Sequence, residues 1–452
     1  MITYSIIKKS QLEGSLRLDA EYYQPEYFID FTKGIWISVD DCLGKCQYGL
    51  SLQMNDGEIG YPIYKMDDIN SCFLFEDTVR YVSVNPKEAE HYFVEKNDIF
   101  FNRVNSDEFV GRTGIFKEGP KSVFASYLIR LRTKNSGKIL PDYLNIFLNS
   151  KYGIKQIQKF KRRAVNQANV NAEELKQFKI LVAPVNFQKE IEKLSNESWN
   201  NFKLSKGFYS EAEDLLLEKL GLKDFENKEG LFSIVNLSDA KEANRIDAEY
   251  FQSKYDKLIS KIKTKTKVEK LSEIAMLKRG SLIDPKYYSE VDGTPYIRGG
   301  DFSSGILEEQ GLIYVKDFKN NNETKVQAGD IVFTLIGSVG ASALVNEIFE
   351  NSFISNNTGK ITINNKKEIL PEYLNIILQS IIGKSQFKKE ASQTAQPKIS
   401  DSQVKNFYIP ILPKSVQQKI ADLVIKSHEA RKKAKELLEE AKIKVEKLIE
   451  NK

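Results

Sequence analysis

Arg17-Leu18-Asp19-Ala20-Glu21-Tyr22-Tyr23-Gln24 is written a second time as Arg245-Ile246-Asp247-Ala248-Glu249-Tyr250-Phe251-Gln252, 228 residues further on. Ile139-Leu140-Pro141-Asp142-Tyr143-Leu144-Asn145-Ile146 returns as Ile369-Leu370-Pro371-Glu372-Tyr373-Leu374-Asn375-Ile376 after 230. Phe178, Pro184, Gln188 and Ile191 return as Phe407, Pro413, Gln417 and Ile420 after 229. Fainter echoes lie between, Asn97-Asp98-Ile99-Phe100-Phe101 against Gly329-Asp330-Ile331-Val332-Phe333 and Tyr61-Pro62-Ile63 against Thr294-Pro295-Tyr296. Several matches in one order at a near-constant offset mark an internal duplication.

Each copy has the same internal order. A short extended opening leads into an aromatic, helix-like stretch, around Glu21 to Phe28 and again around Glu249 to Leu258. Short apolar runs rich in β-branched and aromatic residues follow, broken by Gly, Asn and Asp turns, which predicts a β-rich module. The Leu-Pro-Asp/Glu-Tyr-Leu-Asn segment opens a helix with proline in its first turn and an apolar face at Leu144, Phe147 and Leu148. A long polar helix closes each copy, over Gln188 to Leu220 and Val416 to Glu450. Apolar residues recur at alternating three- and four-residue spacing, through Ile191, Leu194, Phe202 and Leu216 in the first and Ile420, Leu423, Leu437 and Leu448 in the second. This is a coiled-coil seam, weakened by Ser and Ala, and the helices are expected to pair along about 50 Å.

Composition narrows the function. The chain has 452 residues, 41% hydrophobic and 29% charged, with a formal charge of +5, which describes a globular protein of about three domains. Apolar runs such as Ile331 to Ile336 fall far short of the ~18 residues of a membrane span. The opening Met1 to Lys8 lacks the order of a signal peptide, and three cysteines build no disulfide framework; a cytoplasmic location is expected. So weak a net charge leaves any nucleic-acid affinity to local patches. Two histidines, His91 and His428, and the pair Cys42 and Cys46, with no second cysteine pair at zinc-finger spacing, make a poor metal inventory. No phosphate-binding loop, no Gly-x-Ser-x-Gly elbow and no Asn/Asp-Pro-Pro-aromatic motif of an amino-methyltransferase occurs. Ile336-Gly337-Ser338-Val339-Gly340 lacks the glycine spacing of a dinucleotide fingerprint. The chain does not read as an enzyme acting alone.

The most specific segments close each module: Gln167-Ala168-Asn169-Val170 through Phe178, Pro184 and Gln188-Lys189-Glu190-Ile191, and Gln396-Pro397-Lys398-Ile399-Ser400 through Phe407, Pro413 and Gln417-Gln418-Lys419-Ile420. With Gly329-Asp330-Ile331-Val332-Phe333 and Gly337-Ser338-Val339-Gly340, they make the whole chain resemble the specificity subunit of type I DNA restriction-modification systems. The first module departs from the pattern by three extra residues before Gly111, and the second by Leu335 where a basic residue is common. The resemblance implies an α+β fold, with two β-rich target recognition domains joined by two long antiparallel coiled-coil helices in a pseudo-two-fold repeat. The expected boundaries are 1–187 for the first recognition domain, 188–221 for the central helix, 222–414 for the second domain and 415–452 for the C-terminal helix.

It further implies a non-catalytic reader of a split, asymmetric double-stranded DNA target. Its expected partners are DNA, two modification (methyltransferase) subunits and restriction/translocase subunits. This chain is expected to bind no cofactor; S-adenosylmethionine, ATP and Mg would sit on the partners. The competing reading is a duplicated assembly scaffold that does not read sequence.

Phosphate contacts position a reader and base-edge contacts specify. Lys159, Arg162 and Arg163 run into the amide-rich Asn166-Gln167-Ala168-Asn169, and Lys388, Lys389, Gln396 and Lys398 hold the matching place in the second copy. Arginine suits guanine, and Asn or Gln suits adenine. Lys65, Arg103, Arg112, Lys278, Arg279, Arg298 and Ser338 are further DNA-contact candidates, in turns between strands. The run Lys261 to Lys267 is read as a linker with phosphate contacts, and Tyr22, Tyr23, Tyr250 and Phe251 as packing residues.

Overall fold

In a computed structural model the chain forms two compact units, Met1–Lys203 with Ala430–Lys452, and Leu204–Glu429. The structure describes residues 6–10, 12, 17–76, 79–135, 137–165, 167–225, 232–303, 305–309, 311–318 and 324–451. Met1 to Ser5 of the opening and Asn166 of the amide loop lie outside them.

The first unit is built on a six-stranded sheet in the order Leu43–Tyr48, Leu128–Thr133, Ile99–Asn102, Thr113–Ile115, Phe73–Leu74 and Ile69–Asn70. Of its central strands, Ile99–Asn102 is a buried, mostly apolar run, and Leu128–Thr133 is buried except at Arg132 and carries Arg130 among its apolar residues. The second unit repeats four of these positions with Ala275–Arg279, Thr358–Ile363, Ile331–Thr334 and Ser342–Leu344.

The duplicated residues have duplicated tasks. Gln188 is buried; its Oε1 accepts the Leu140 N–H at 2.8 Å, and its Nε2 donates to the carbonyls of Lys138 and Ala183. Gln417 does the same for Leu370, Glu368 and Leu412. The Tyr143 hydroxyl donates to the Leu181 carbonyl at 2.9 Å, and that of Tyr373 to the Pro410 carbonyl at 2.9 Å. These bonds satisfy backbone groups hidden from water where the helix meets the closing strand, which is why these polar residues recur. The echo around Asp98 and Asp330 is explained similarly. Asn97 (φ 71°) and Gly329 (φ 87°) adopt the left-handed conformation that Asn and Gly tolerate. Each following aspartate then caps the backbone three residues before it, at Glu95 and Gln327, 2.9 Å away in both.

The long helices run Val185–Lys219 and Lys414–Glu450. Within the first unit they pair antiparallel: Glu190 meets Lys444 at 2.8 Å, and the Ser198 hydroxyl donates to the Ala434 carbonyl at 2.8 Å. Within the second unit the Ser427 hydroxyl donates to the Ser205 carbonyl at 2.7 Å. The serines that weaken the apolar seam thus bond to the facing backbone. Ile191, Phe202, Leu216, Ile420 and Leu437 are buried, and Leu194, Leu423 and Leu448 are half-buried against the cores.

Two expectations need correction. Glu21 to Phe28 is not helical but forms two 3-10 turns, Ala20–Tyr23 and Pro25–Tyr27, whereas the second copy has an α-helix at Ser253–Lys263. Pro25 has no N–H to give to a helix running on from Glu21, which interrupts a continuous helix over Glu21 to Phe28. Lys261 to Lys267 is not a linker: Lys261 and Lys263 finish that helix, and Lys267 starts the strand Lys267–Lys270.

Candidate nucleic-acid interface

In the first unit Ser150 caps the helix Lys151–Phe160, which ends at Lys161. The chain then turns back as a hairpin: Arg162–Arg163 pairs with Ala168–Asn169, which pairs in turn with Val104–Asn105. The Ala164 N–H donates to the Gln167 carbonyl at 2.7 Å and closes the tip, where Val165 and Gln167 are exposed. A narrow ribbon of this kind is one of the elements a DNA major groove admits.

Neighbouring strand residues point to opposite faces, so the two arginines part company. Arg162 Nε donates to Glu174 Oε1 at 2.6 Å, and the same carboxylate takes Arg17 Nη1 at 3.3 Å in a buried setting. Arg163 Nε donates to Asp107 Oδ1 at 2.8 Å; Asp107 Oδ2 takes the buried Lys161 Nζ at 2.9 Å. Asn169 is half-buried opposite Arg162. Lys159 lies over the Tyr22 ring at 4.7 Å, where burial pushes its amine below the usual lysine range. Arg103 lies over the Tyr48 ring and donates Nε to the Ser126 carbonyl at 2.9 Å, next to the ribbon strand Val104–Asn105. Lys65 precedes Met66, whose Sδ is 3.5 Å from Asn105 Nδ2. Exposed Arg112 stacks on Phe109 at 3.9 Å. The structure thus gathers Lys65, Arg103, Lys159, Arg162, Arg163, Gln167 and Asn169 around one ribbon.

The acidic members, Asp107 and Glu174, escaped sequence reasoning. The three residues added before Gly111 are the signal that would have found Asp107.

In the second unit Ser392 and Lys398 close a loop, the Ser392 N–H donating to the Lys398 carbonyl at 2.8 Å. Exposed Gln396 and Lys398 lie on it, and an Ile336–Lys398 bridge sets it beside the turn that exposes Ser338. A cavity of about 590 Å³ opens between them, lined in part by Ser338, Gly340, Lys384, Lys388, Gln393 and Pro397. Lys388 lies 3.6 Å from Glu249, and Lys389 3.0 Å from Asp256. Lys278, Arg279 and Arg298 do not line the cavity: exposed Lys278 and Arg279 end the strand Ala275–Arg279, and Arg279 Nε donates to the Asn356 carbonyl at 2.7 Å. Arg298 is tied to Asp301 and the Gly311 carbonyl.

The repeated opening motif clamps each basic helix end. Arg17 pairs with Asp19, lies over Tyr22 and donates to the Phe160 carbonyl; Arg245 pairs with Asp247, lies over Tyr250 and donates to the Glu390 carbonyl. The arginine hydrogen bonds hold both aspartates below the usual carboxylate range. The clamps are therefore fully stabilising above the ordinary aspartate pKa, about 4, and are lost as pH falls through the depressed folded values. Proteolysis of the opening segments is expected to quicken below about pH 4 and to stay unchanged between about 5 and 8.

Among the described residues no group of three or more His, Cys, Asp or Glu side chains gathers as a metal site, and no helix is long and apolar enough to cross a membrane. Burial pushes the Cys42 thiol up to about 12 and that of Cys46 up to about 11.

Known proteins resemble the chain in the same terms. The type I restriction modification DNA specificity domain matches it twice, at residues 51–208 and 263–440. A Methanocaldococcus jannaschii protein named as the MjaX specificity subunit of a type I restriction enzyme is 31% identical over 159 residues, 35% of this chain and 37% of that one. The EcoKI specificity subunit of Escherichia coli is 24% identical over 184 residues, 40% and 38% of the two chains. The matched stretches thus span less than two-fifths of these relatives. The S subunit of the M. genitalium type I system aligns over 94% of this chain and 97% of its own, with 14% identity and a TM-score of 0.43. With the two domain matches covering most of its length, the chain belongs to the type I restriction-modification DNA specificity family.

Proposed function

We propose that this chain is the sequence-reading, non-catalytic subunit of a type I restriction-modification complex. The duplicated DNA specificity domain is the observation that carries this reading. Each copy presents basic and amide side chains on a loop beside a glycine-containing turn, which suits contacts to phosphates and base edges. Two modification subunits would supply S-adenosylmethionine and the methyl transfer. Restriction/translocase subunits would supply the ATP- and Mg-dependent steps. The complex would work in the cytoplasm.

Binding titrations on duplex DNA at several salt concentrations test the proposal. A reader prefers one split sequence over bulk DNA and loses affinity steeply with salt; a pure scaffold shows neither. Replacing Arg162 and Arg163 together by alanine is expected to weaken binding, with the salt slope reduced by about one for each phosphate no longer neutralised. Unchanged affinity and slope would remove both arginines from the interface. Methyl transfer by the purified chain alone would overturn the non-catalytic assignment.

A further inference from the structure

The two copies differ most usefully in one turn. In both, a backbone bond closes the link after the central strand, from the Gly111 N–H to the Asn102 carbonyl and from the Gly340 N–H to the Thr334 carbonyl. Eight residues lie between these points in the first copy and five in the second. The extra length carries Asp107 onto Lys161 and Arg163. Counted from the helix ends at Lys161 and Ala391, the second copy has Ser392 and Gln393 where the first has Arg162 and Arg163. The arginine and the carboxylate that meets it occur together in one copy and are both missing from the other.

Their geometry differs from that of the neighbouring pair. Glu174, which holds Arg162, is buried and shared with Arg17, so it ties the ribbon to the scaffold. Asp107 and Arg163 keep 55% and 43% of their side-chain surfaces exposed. The bond from Nε to Asp107 fixes the plane of the guanidinium. A DNA phosphate brought to Arg163 would also approach the Asp107 carboxylate and be repelled. The O6 and N7 edge of guanine is an uncharged pair of acceptors that matches an arginine fork without that penalty. Resting on the DNA-reading proposal above, we infer that Arg163 reads a guanine in the first module's half-site, with Asp107 as its positioning residue. Asp107 commits this arginine to a base and withholds it from the backbone. Sequence selectivity in the first module therefore depends on an acidic residue that makes no DNA contact of its own.

The test uses the full chain assembled with its modification subunits. The preferred duplex is first selected from a random pool, and each guanine in it is then replaced in turn by 7-deazaguanine, which lacks N7. One replacement in the first half-site is expected to weaken wild-type binding by roughly fivefold to a hundredfold. In Arg163→Ala and Asp107→Asn that penalty shrinks to under about twofold, while other guanines keep theirs. Asp107→Glu restores it, and Asp107→Asn binds non-specific DNA at least as tightly as the wild type. A merely structural role for Asp107 would lower all penalties together. The inference is overturned if no guanine depends on Arg163, or if Asp107→Asn keeps the full penalty. A wild-type complex with no sequence preference would instead sink the DNA-reading proposal, before any variant is made.

Discussion

Asp98→Ala is expected to destabilise the first unit by about 3–5 kcal/mol, the range for breaking a buried ion pair from one side. Asp98 is fully buried; it takes Arg132 Nε at 2.6 Å, lies 3.5 Å from Arg130 Nη1 and caps the Glu95 amide. Arg130 is itself buried in the sheet. Alanine would leave its guanidinium without a carboxylate in a place water does not reach. For a unit of this size the melting transition should fall by roughly 6–20 °C, taking about 2–4 °C per kcal/mol. Asp330→Ala is the built-in comparison: its partner Lys360 is partly exposed and more easily rehydrated, so the loss should be smaller. Urea denaturation of the two variants measures the difference. A loss of less than about 1 kcal/mol in Asp98→Ala would put this pair in the class of surface ion pairs.

The second large effect is a change of assembly. A fragment ending at Gly221 keeps the first helix but loses residues 430–452, whose Ala434, Leu438, Ala441 and Val445 are buried in the first unit's core. The helix Val185–Lys219 would be left with an uncovered seam at Leu194, Phe202 and Leu216. A second copy can cover it, because the repeat places Ser198 where the second helix has Ser427, and Ser205 where it has Ala434. Ser198, which now bonds to the Ala434 backbone, would face Ser205 of the other copy, twice over by symmetry. The fragment is expected to be a dimer by sedimentation. With modification subunits it should methylate an inverted repeat of the first half-site. A monomer, or methylation of the original asymmetric site, would refute the pairing.

Most of the architecture was legible because it is written twice. Gln188, Tyr143 and Asp98 sit in segments that recur, and recurrence exposes residues whose bonds the fold cannot spare. The long helices were equally plain, since three-and-four spacing persists through Ile191, Phe202, Leu437 and Leu448. The aromatic opening misled because Glu21 to Phe28 has helical composition, while Pro25 in its middle interrupts any helix that runs through it. The interface was legible only as charge. Arg162 and Arg163 looked equivalent in sequence, and what separates them is which carboxylate each meets, across 12 and 56 residues of chain. Such pairings depend on folding and leave no periodic trace.

The first unit is discontinuous: its last strip, residues 430–452, is synthesised only after the whole of the second unit. The second unit is continuous, so it can finish first although it lies later in the sequence. At about 5–20 residues per second, the ribosome needs roughly 10–45 s to pass from Lys203 to Ala430. Throughout that interval Ile191 and Phe202 wait without the strip that covers them. Nascent or prematurely terminated chains should therefore carry a standing attraction for other apolar helices, including those of sister chains on the same messenger. Self-pairing of half-made protein is thus a hazard of synthesis, and it ends only when residues 430–452 emerge and cover the first unit.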